Sequence, residues 1–296
     1  MLFFSGSCRT SINGFINSLT EVFNFPRGSV QIWAHEHKVL VVSTDTPRPP
    51  LDTVQISEKI SRYWRVSVVE VTGSTQEDLL NLVQRAEAHT GDVLVTNYQS
   101  AGRGRLDRKF EAPEASALLF SFYIQPKRDQ SEWSLLPLVV GLSASFALSR
   151  LDPRVTSSLK WPNDLLFSSL KAGGIIAQTA DNGIIIGVGI NVAMQESELP
   201  VAHATSLSLQ NFGELNRNVI LAAFLNEFAN LLERWEAGED LRHLYLERCS
   251  SIGAKIQAEL PGGVIKSGVA VGISPNGELI LEDGSRITVG DIVHLR

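Results

Sequence analysis

The run Ala117–Ile124 (ALLFSFYI) constrains the fold more than any other stretch of the chain. A continuous apolar segment rich in aromatic and branched side chains reads as a β-strand buried on both faces. Such a strand belongs inside a sheet that is covered on both sides. Helical patterns able to cover it lie elsewhere. Leu135–Leu148 is the longest apolar stretch; Ser143 and Ser145 interrupt it, and it falls short of the roughly 18–20 residues of a bilayer span. It reads as a buried core helix with Pro137 in its first turn. Ile220, Phe224, Phe228, Leu231, Leu232 and Trp235 mark one face of an amphipathic helix. Ser74 and Glu77 match a capping box, and Leu79, Leu80, Leu82, Val83 and Ala86 follow at helical spacing. Further strands are expected at Val66–Val71, Val93–Val95, Leu165–Phe167, Ile175–Thr179 and Ile184–Val188, the last ending at Gly189.

From about Ser251 the pattern changes. Short strand-like runs alternate with Gly262-Gly263, Asn276-Gly277 and Asp283-Gly284, dipeptides that suit tight hairpin turns. This reads as a small antiparallel β domain of about 45 residues. At the other end, Val39–Ser43 is compatible with a strand, Thr46-Pro47-Arg48-Pro49-Pro50 with a linker, and Val54–Trp64 with a short helix. The first four residues, Met1-Leu2-Phe3-Phe4, turn polar at once, so no signal peptide is predicted.

Apolar residues make up 44% of the 296-residue chain, enough for a sizeable core, and the formal net charge is -6. A dedicated nucleic-acid binder usually carries a basic surplus, and there is none here. The two cysteines, Cys8 and Cys249, are far apart and form no Cys-x-x-Cys pair. They read as reduced thiols of a cytoplasmic protein, not as a zinc site.

Five short motifs carry the candidate chemistry. Gln99–Lys109 (QSAGRGRLDRK) sets Arg103, Arg105, Arg108 and Lys109 within one short loop, with Gly102 and Gly104 freeing the backbone. Glycine permits close approach, and arginine forks match phosphate or carboxylate oxygens. The run suits a loop that folds over an anion; an exposed solvated turn is the alternative. It is neither a Walker A sequence nor a dinucleotide fingerprint. Lys160-Trp161-Pro162-Asn163-Asp164 offers oxygens for a metal-bound phosphate, or simply a turn entering a strand. Lys171-Ala172-Gly173-Gly174 sets one ammonium against a substrate oxygen, or at the solvent side of a hairpin. Gly187-Val188-Gly189-Ile190-Asn191 puts glycines inside a strand, where a ligand or another backbone comes close. Thr72-Gly73-Ser74-Thr75-Gln76 puts hydroxyls at a helix start, for capping or for a polar ligand head.

Each motif is ambiguous alone. Their order (STQ, QSAGRGR, KWPND, KAGG, GVGIN) resembles the catalytic domain of the biotin–protein ligases, over residues 66–296 and in a form without a DNA-binding domain. The resemblance implies an α+β fold: a mixed β-sheet catalytic domain of class II synthetase-like type, followed by a small C-terminal SH3-like β-barrel. The corresponding boundaries are 1–65 for an extension and linker, 66–248 for the catalytic domain and 249–296 for the β domain.

It also implies residue roles. Ser74, Thr75, Gln76 and Gln99 bind the biotin head, although Gln76 stands where the family more often has asparagine. Gly102, Arg103, Gly104 and Arg105 form the adenylate loop, which is expected to close as a mobile lid over biotinyl-AMP. Lys171 lies near the biotin carboxyl and the α-phosphate, with Gly174 and Gly187 along the biotin tail. Arg103, Arg105, Arg108 and Lys171 balance charge in the reaction. Asn163 and Asn191 join Arg103, Arg105 and Arg108 as nucleotide contacts, and Asp164 is the metal contact. ATP and Mg²⁺ are the implied cofactors, and a biotin carboxyl carrier domain is the implied partner. Neither nucleic acid nor membrane is expected, and the protein is expected as a monomer or a homodimer. The alternatives are lipoate or octanoate transfer and a non-catalytic biotin sensor. The lipoate-ligase pattern of paired arginines before a glycine triplet is missing, and the retained Lys171 and arginines argue against a sensor.

Overall fold

The computed structural model describes residues 30–35, 38–43, 48–105, 108–260, 263–288 and 290–295. The chain forms two compact units, residues 1–47 and 48–296. In the first, strands β1 (Val30–His35) and β2 (Lys38–Ser43) pair antiparallel, with Val30 opposite Ser43. Expectations for Cys8, for the first four residues and for Thr46-Pro47 lie outside the described residues.

The second unit is organised on a seven-stranded mixed sheet. Its strands are β3 (Arg65–Thr72), β4 (Asp92–Gln99), β5 (Ala117–Ile124), β6 (Ser157–Lys160), β7 (Asp164–Phe167), β8 (Leu170–Ala180) and β9 (Gly183–Asn191). They lie in the order β3-β4-β5-β9-β8-β7-β6; β3 and β4 are parallel, and every other neighbouring pair is antiparallel. Strand β5 lies inside the sheet and is buried at every position, as its composition predicts. Its alternation divides two packing faces: Leu118, Phe120, Phe122 and Ile124 point to the main core, while Leu119, Ser121 and Tyr123 point the other way.

Two helices cover the main-core face: α3 (Leu136–Leu151) and α4 (Arg217–Glu236). The helical run Gln130–Leu151 is long and apolar enough to cross a bilayer, but 67% of its apolar window is buried, as in a core helix. Helix α2 (Thr75–Gln84) covers part of the opposite face through Leu79 and Val83, which pack on Leu94, Tyr123 and Ile185. The rest of that face is left open, and the candidate site lies there.

The second compact unit begins at residue 48, ahead of the expected boundary at 66. A short helix, α1 (Thr53–Ser57), buries Ile56, and Trp64 sits in the core 5.7 Å from Phe122, donating from Nε1 to Leu225 O. Arg48, Pro49 and Pro50, expected as linker, are docked: Arg48 donates to Ala193 O, and Pro49 O and Pro50 O accept from Arg217 and Asn218. Arg217 itself is almost wholly buried at the start of α4 and also donates to Asn97 Oδ1 at 2.7 Å. Asn97 in turn donates to Glu70 at 2.6 Å. Burial pushes the Arg217 guanidinium down to about 10, and the Glu70 carboxylate partly opposes this.

Helix α5 (Arg242–Arg248) leads into the C-terminal sheet, made of β10 (Lys255–Leu260), β11 (Val264–Ile273), β12 (Leu279–Leu281), β13 (Arg286–Ile287) and β14 (Asp291–His294). Its order is β13-β12-β11-β10-β14, antiparallel throughout. Gly263, Gly277 and Gly284 adopt φ near +80°, the left-handed conformation that the expected turns require. Trp161 ties this sheet to the first: its Nε1 donates to Gly277 O at 2.9 Å and its backbone N–H to Ser251 Oγ at 3.1 Å.

Candidate active site

A cleft of about 820 Å³ opens on the sheet face that α2 leaves free. Its deep end is built by strand alternation. Ile184, Ile186, Val188 and Ile190 of β9 enter the core, while Gly187 and Gly189 face the cleft. A Cβ on Gly187 would lie 2.7 Å from Gln76 Oε1 and 3.0 Å from Ile176 Cγ1; one on Gly189 would strike the Phe110 ring at 2.7 Å. Side chains are missing here because others already occupy the space above the strand.

Over this floor sits a small polar cluster. Gln99 Oε1 accepts from Thr75 N at 2.8 Å and from Thr75 Oγ1 at 3.1 Å, and Thr75 Oγ1 lies 2.8 Å from Ser121 Oγ. Gln76 donates from Nε2 to Ile185 O at 3.1 Å. That contact orients the amide, and its Oε1 is left buried without a hydrogen-bond partner. An unmet acceptor in a pocket wall costs on the order of 1–3 kcal/mol, which a ligand N–H would recover. The expected capping box does not form. Ser74 makes no side-chain cap bond and is buried in the cleft wall, while Glu77 pairs with Arg103 at 2.8 Å.

On either side of residues 106–107 the basic loop pairs with itself. Phe110 N donates to Gly102 O at 2.9 Å, Gly104 N donates to Arg108 O at 2.7 Å, and Arg103 pairs with Lys109 across it. Gly104, Arg103, Arg105, Arg108 and Lys109 line the cleft. Gly102 does not. A Cβ there would meet Phe110 O at 2.3 Å, so its glycine is explained by loop closure instead of ligand contact. Arg105 reaches Asn163 Oδ1 at 3.2 Å and Gly290 O of the C-terminal sheet at 3.4 Å. Burial pushes its guanidinium down, the Asp164 carboxylate opposes this, and Arg108 adds to it. The expected lid includes Leu106 and Asp107, which lie outside the described residues.

Toward the mouth, Lys171 Nζ pairs with Asp164 Oδ1 at 2.5 Å. Its placement depends on a register shift between β7 and β8. Gly174 and Ile176 face the cleft, so in a regular strand position 172 would too. The bulge inverts this: Ala172 is fully buried in the core and Lys171 lines the cleft. Such bulges commonly re-aim one side chain next to a site. Lys171 N donates to His203 O at 2.8 Å, which fixes the same segment from outside the sheet. Asn163 is oriented by its Nδ2, which donates to Ile175 O at 2.9 Å.

Asn191, expected as a nucleotide contact, does not line this cleft. It is buried and donates from Nδ2 to Thr205 O at 2.9 Å, a bond that also ties down the following segment. Several wall residues carried no signal of their own, Ser121, Phe110, His203 and His294, and Lys160 was singled out only as part of its motif. His294 comes from the last strand and touches Ser251 Oγ at 3.0 Å; burial and the nearby Lys160 push its imidazole down. The Lys160 ammonium is also lowered, by burial first and then by Lys171, against Asp164.

The donor set suits Mg²⁺ held chiefly by a nucleotide. Among the described residues no group of three His, Cys, Asp or Glu side chains could form a protein cage. Asp164 Oδ1 is buried and takes no donor beyond the Lys171 ammonium. One carboxylate beside phosphate oxygens is the usual protein share of a Mg²⁺ site.

The chain is similar to known proteins over most of its length. Residues 68–194 match the biotin/lipoate A/B protein ligase family, and residues 251–295 match the biotin protein ligase C terminal domain. The chain is 34% identical over 263 residues to the biotin–[acetyl-CoA-carboxylase] ligase of Mycobacterium tuberculosis, covering 85% of this chain and 98% of that one. It is 33% identical over 226 residues to the bifunctional ligase/repressor BirA of Escherichia coli, covering 73% and 69%. The biotin protein ligase of Aquifex aeolicus, solved in complex with biotin and ATP, superposes with a TM-score of 0.68 at 28% identity, covering 78% of this chain and 99% of that one.

Proposed function

The chain belongs to the biotin protein ligase family, and we propose that its cleft holds the biotin head at Gln76 and the nucleotide phosphates between the basic loop and Asp164. The protein activates biotin with ATP and transfers it to a carrier protein of a carboxylase. One observation carries the placement: a single cleft joins a buried, unmet amide oxygen at its deep end to a cluster of cations around one carboxylate at its mouth.

In this reading Gln76 Oε1 accepts from a ureido N–H, and Thr75, Gln99 and Ser121 complete the polar head pocket beside Ser74. The tail crosses Gly187 toward Gly174, so the carboxylate arrives beside Lys171. A carboxylate oxygen attacks the α-phosphorus of ATP; the bond to the bridging oxygen breaks, and pyrophosphate leaves. The amine of a carrier lysine then attacks the anhydride carbonyl, and AMP departs. No nucleophile from the protein is required. Catalysis comes from alignment and from cations set where charge develops. Arg103, Arg105, Arg108 and Lys171 supply them, with Asn163 orienting Arg105. Mg²⁺ bound by Asp164 and the phosphates would neutralise triphosphate charge. Each charge-assisted hydrogen bond contributes on the order of 1.5–3 kcal/mol.

The proposal extends to a biotin carboxyl carrier domain as acceptor and to action in the cytoplasm, as a monomer or a homodimer. The mildly acidic charge supports the expectation that neither nucleic acid nor membrane is a partner. The test is incubation with ATP, Mg²⁺, biotin and a carrier domain, read by streptavidin blot and by release of AMP. An unmodified carrier would refute the assignment.

A further inference from the structure

We propose that Lys160 is a catalytic residue of the first half-reaction only, holding the β- and γ-phosphates of ATP as they depart as pyrophosphate. The inference rests on the ligase reading above. Its basis is a row of residues across the sheet. Register pairs Leu119 with Gly189, Gly189 with Gly174, Gly174 with Asp164, and Asp164 with Lys160. Directly paired residues share a face, and all five line the cleft. Along this row the side chains change from apolar, to absent, to anionic, to cationic.

Strands are spaced about 4.8 Å apart, so Lys160 on β6 stands three intervals, roughly 14 Å, from the glycines of β9. The biotin head occupies the β9 end, where Gln76, Ser121 and Gly187 meet. The carboxylate lies one interval on, at β8, beside Lys171 and Gly174. The α-phosphate follows, reached by Lys171 and Arg105. What lies beyond it, toward β6, is the leaving group. The acyl-adenylate has no atoms on that side once pyrophosphate has gone.

Lys160 is placed for this task and not for another. It is half-buried on the last strand of the sheet, and the one carboxylate among the described residues that acts on it, Asp164, already pairs with Lys171. A partly desolvated ammonium without a close counter-ion is costly. A polyphosphate arriving along the row would provide its counter-ion.

Two half-reactions separate this role from any general one. Lys160→Met in the full chain is expected to slow formation of biotinyl-5′-AMP from ATP roughly 10- to 100-fold, the range of one charge-assisted hydrogen bond. It should raise the pyrophosphate concentration needed for half-maximal ATP–pyrophosphate exchange by a similar factor. Transfer from pre-formed biotinyl-5′-AMP to a carrier domain should change less than twofold, and Lys160→Arg should restore most of the first step. Equal slowing of both half-reactions, or of neither, would overturn the proposal. A native protein unable to use either substrate would instead refute the ligase reading itself. Should Lys160→Met not fold, reductive methylation of the native protein read by mass spectrometry decides the point. Inorganic pyrophosphate with Mg²⁺ should protect Lys160, and labelling indifferent to pyrophosphate would refute it.

Discussion

Gly187→Ala tests the deep end of the cleft with a single methyl group. The added Cβ would lie 2.7 Å from Gln76 Oε1, 3.0 Å from Ile176 Cγ1 and 3.3 Å from Ser121 Oγ. The first is closer than a settled contact allows, the second is tight, and neither neighbour moves freely. Gln76 is buried and held through Nε2 by Ile185 O, and Ile176 is part of the sheet. Overpacking of this kind costs on the order of 1–3 kcal/mol. Turning the Gln76 amide away from the ligand loses one more hydrogen bond, about 1 kcal/mol. Together these predict biotin binding weaker by about 2–4 kcal/mol, roughly 30- to 1,000-fold. Titration calorimetry with biotin measures this directly, and thermal unfolding of the same sample confirms that the variant is folded. ATP affinity without biotin should stay within about threefold, since the nucleotide end lies several strands away. A folded Gly187→Ala protein that binds biotin within threefold of the parent would refute the placement of the head group.

Asn191→Ala should lower stability by about 1–3 kcal/mol, because Thr205 O is left without its donor; a melting temperature unchanged from the parent would refute that anchoring. Arg217→Met leaves Asn97 Oδ1 and Pro49 O unmatched and should cost about 3–5 kcal/mol, read as a lower urea midpoint at unchanged slope; a loss below about 1 kcal/mol would sink this account of the residues 48–52 anchor. His294 is pushed below its ordinary 6.5, so between its folded value and 6.5 the unfolded chain binds more protons. Its contribution to stability is complete above pH 6.5 and is lost as pH falls through the folded value. His294→Gln should flatten that part of the stability profile, and an unchanged slope would show that other groups set it.

Long periodic segments were legible in the chain because burial dictates their composition. Ala117–Ile124 and the face from Ile220 to Trp235 are such cases: each side chain there answers to a core on a known side. Glycine turns of the C-terminal sheet were legible for a steric reason, the positive φ that other residues avoid. What the chain concealed depends on partners distant in sequence. Ser74 and Glu77 have the right spacing for a capping box, yet Arg103 draws Glu77 away and the cleft takes Ser74. Residues 48–65 look like linker until Arg217 and Asn218, far along the chain, are seen to bind their carbonyls. Lys160 and His294 share a wall only because the two sheets meet at Trp161. The bond from Asn191 to Thr205 O likewise joins residues that no local motif pairs.

The bulge in β8 bears on how variants of this chain should be read. It acts as a change of phase: residues before it count even and odd in the opposite sense from those after it. A regular strand with alanine at 171 and lysine at 172 would present the same surface, so the extra residue and the order of this pair are two spellings of one geometry. Deleting Ala172 would remove the extra residue and set Lys171 directly before Gly173, where it still faces the cleft. Exchanging the two residues in the intact strand would instead turn the ammonium into the hydrocarbon interior. An alignment that opens a one-residue gap beside Lys171 therefore reports loss of the bulge with the lysine still on the cleft side.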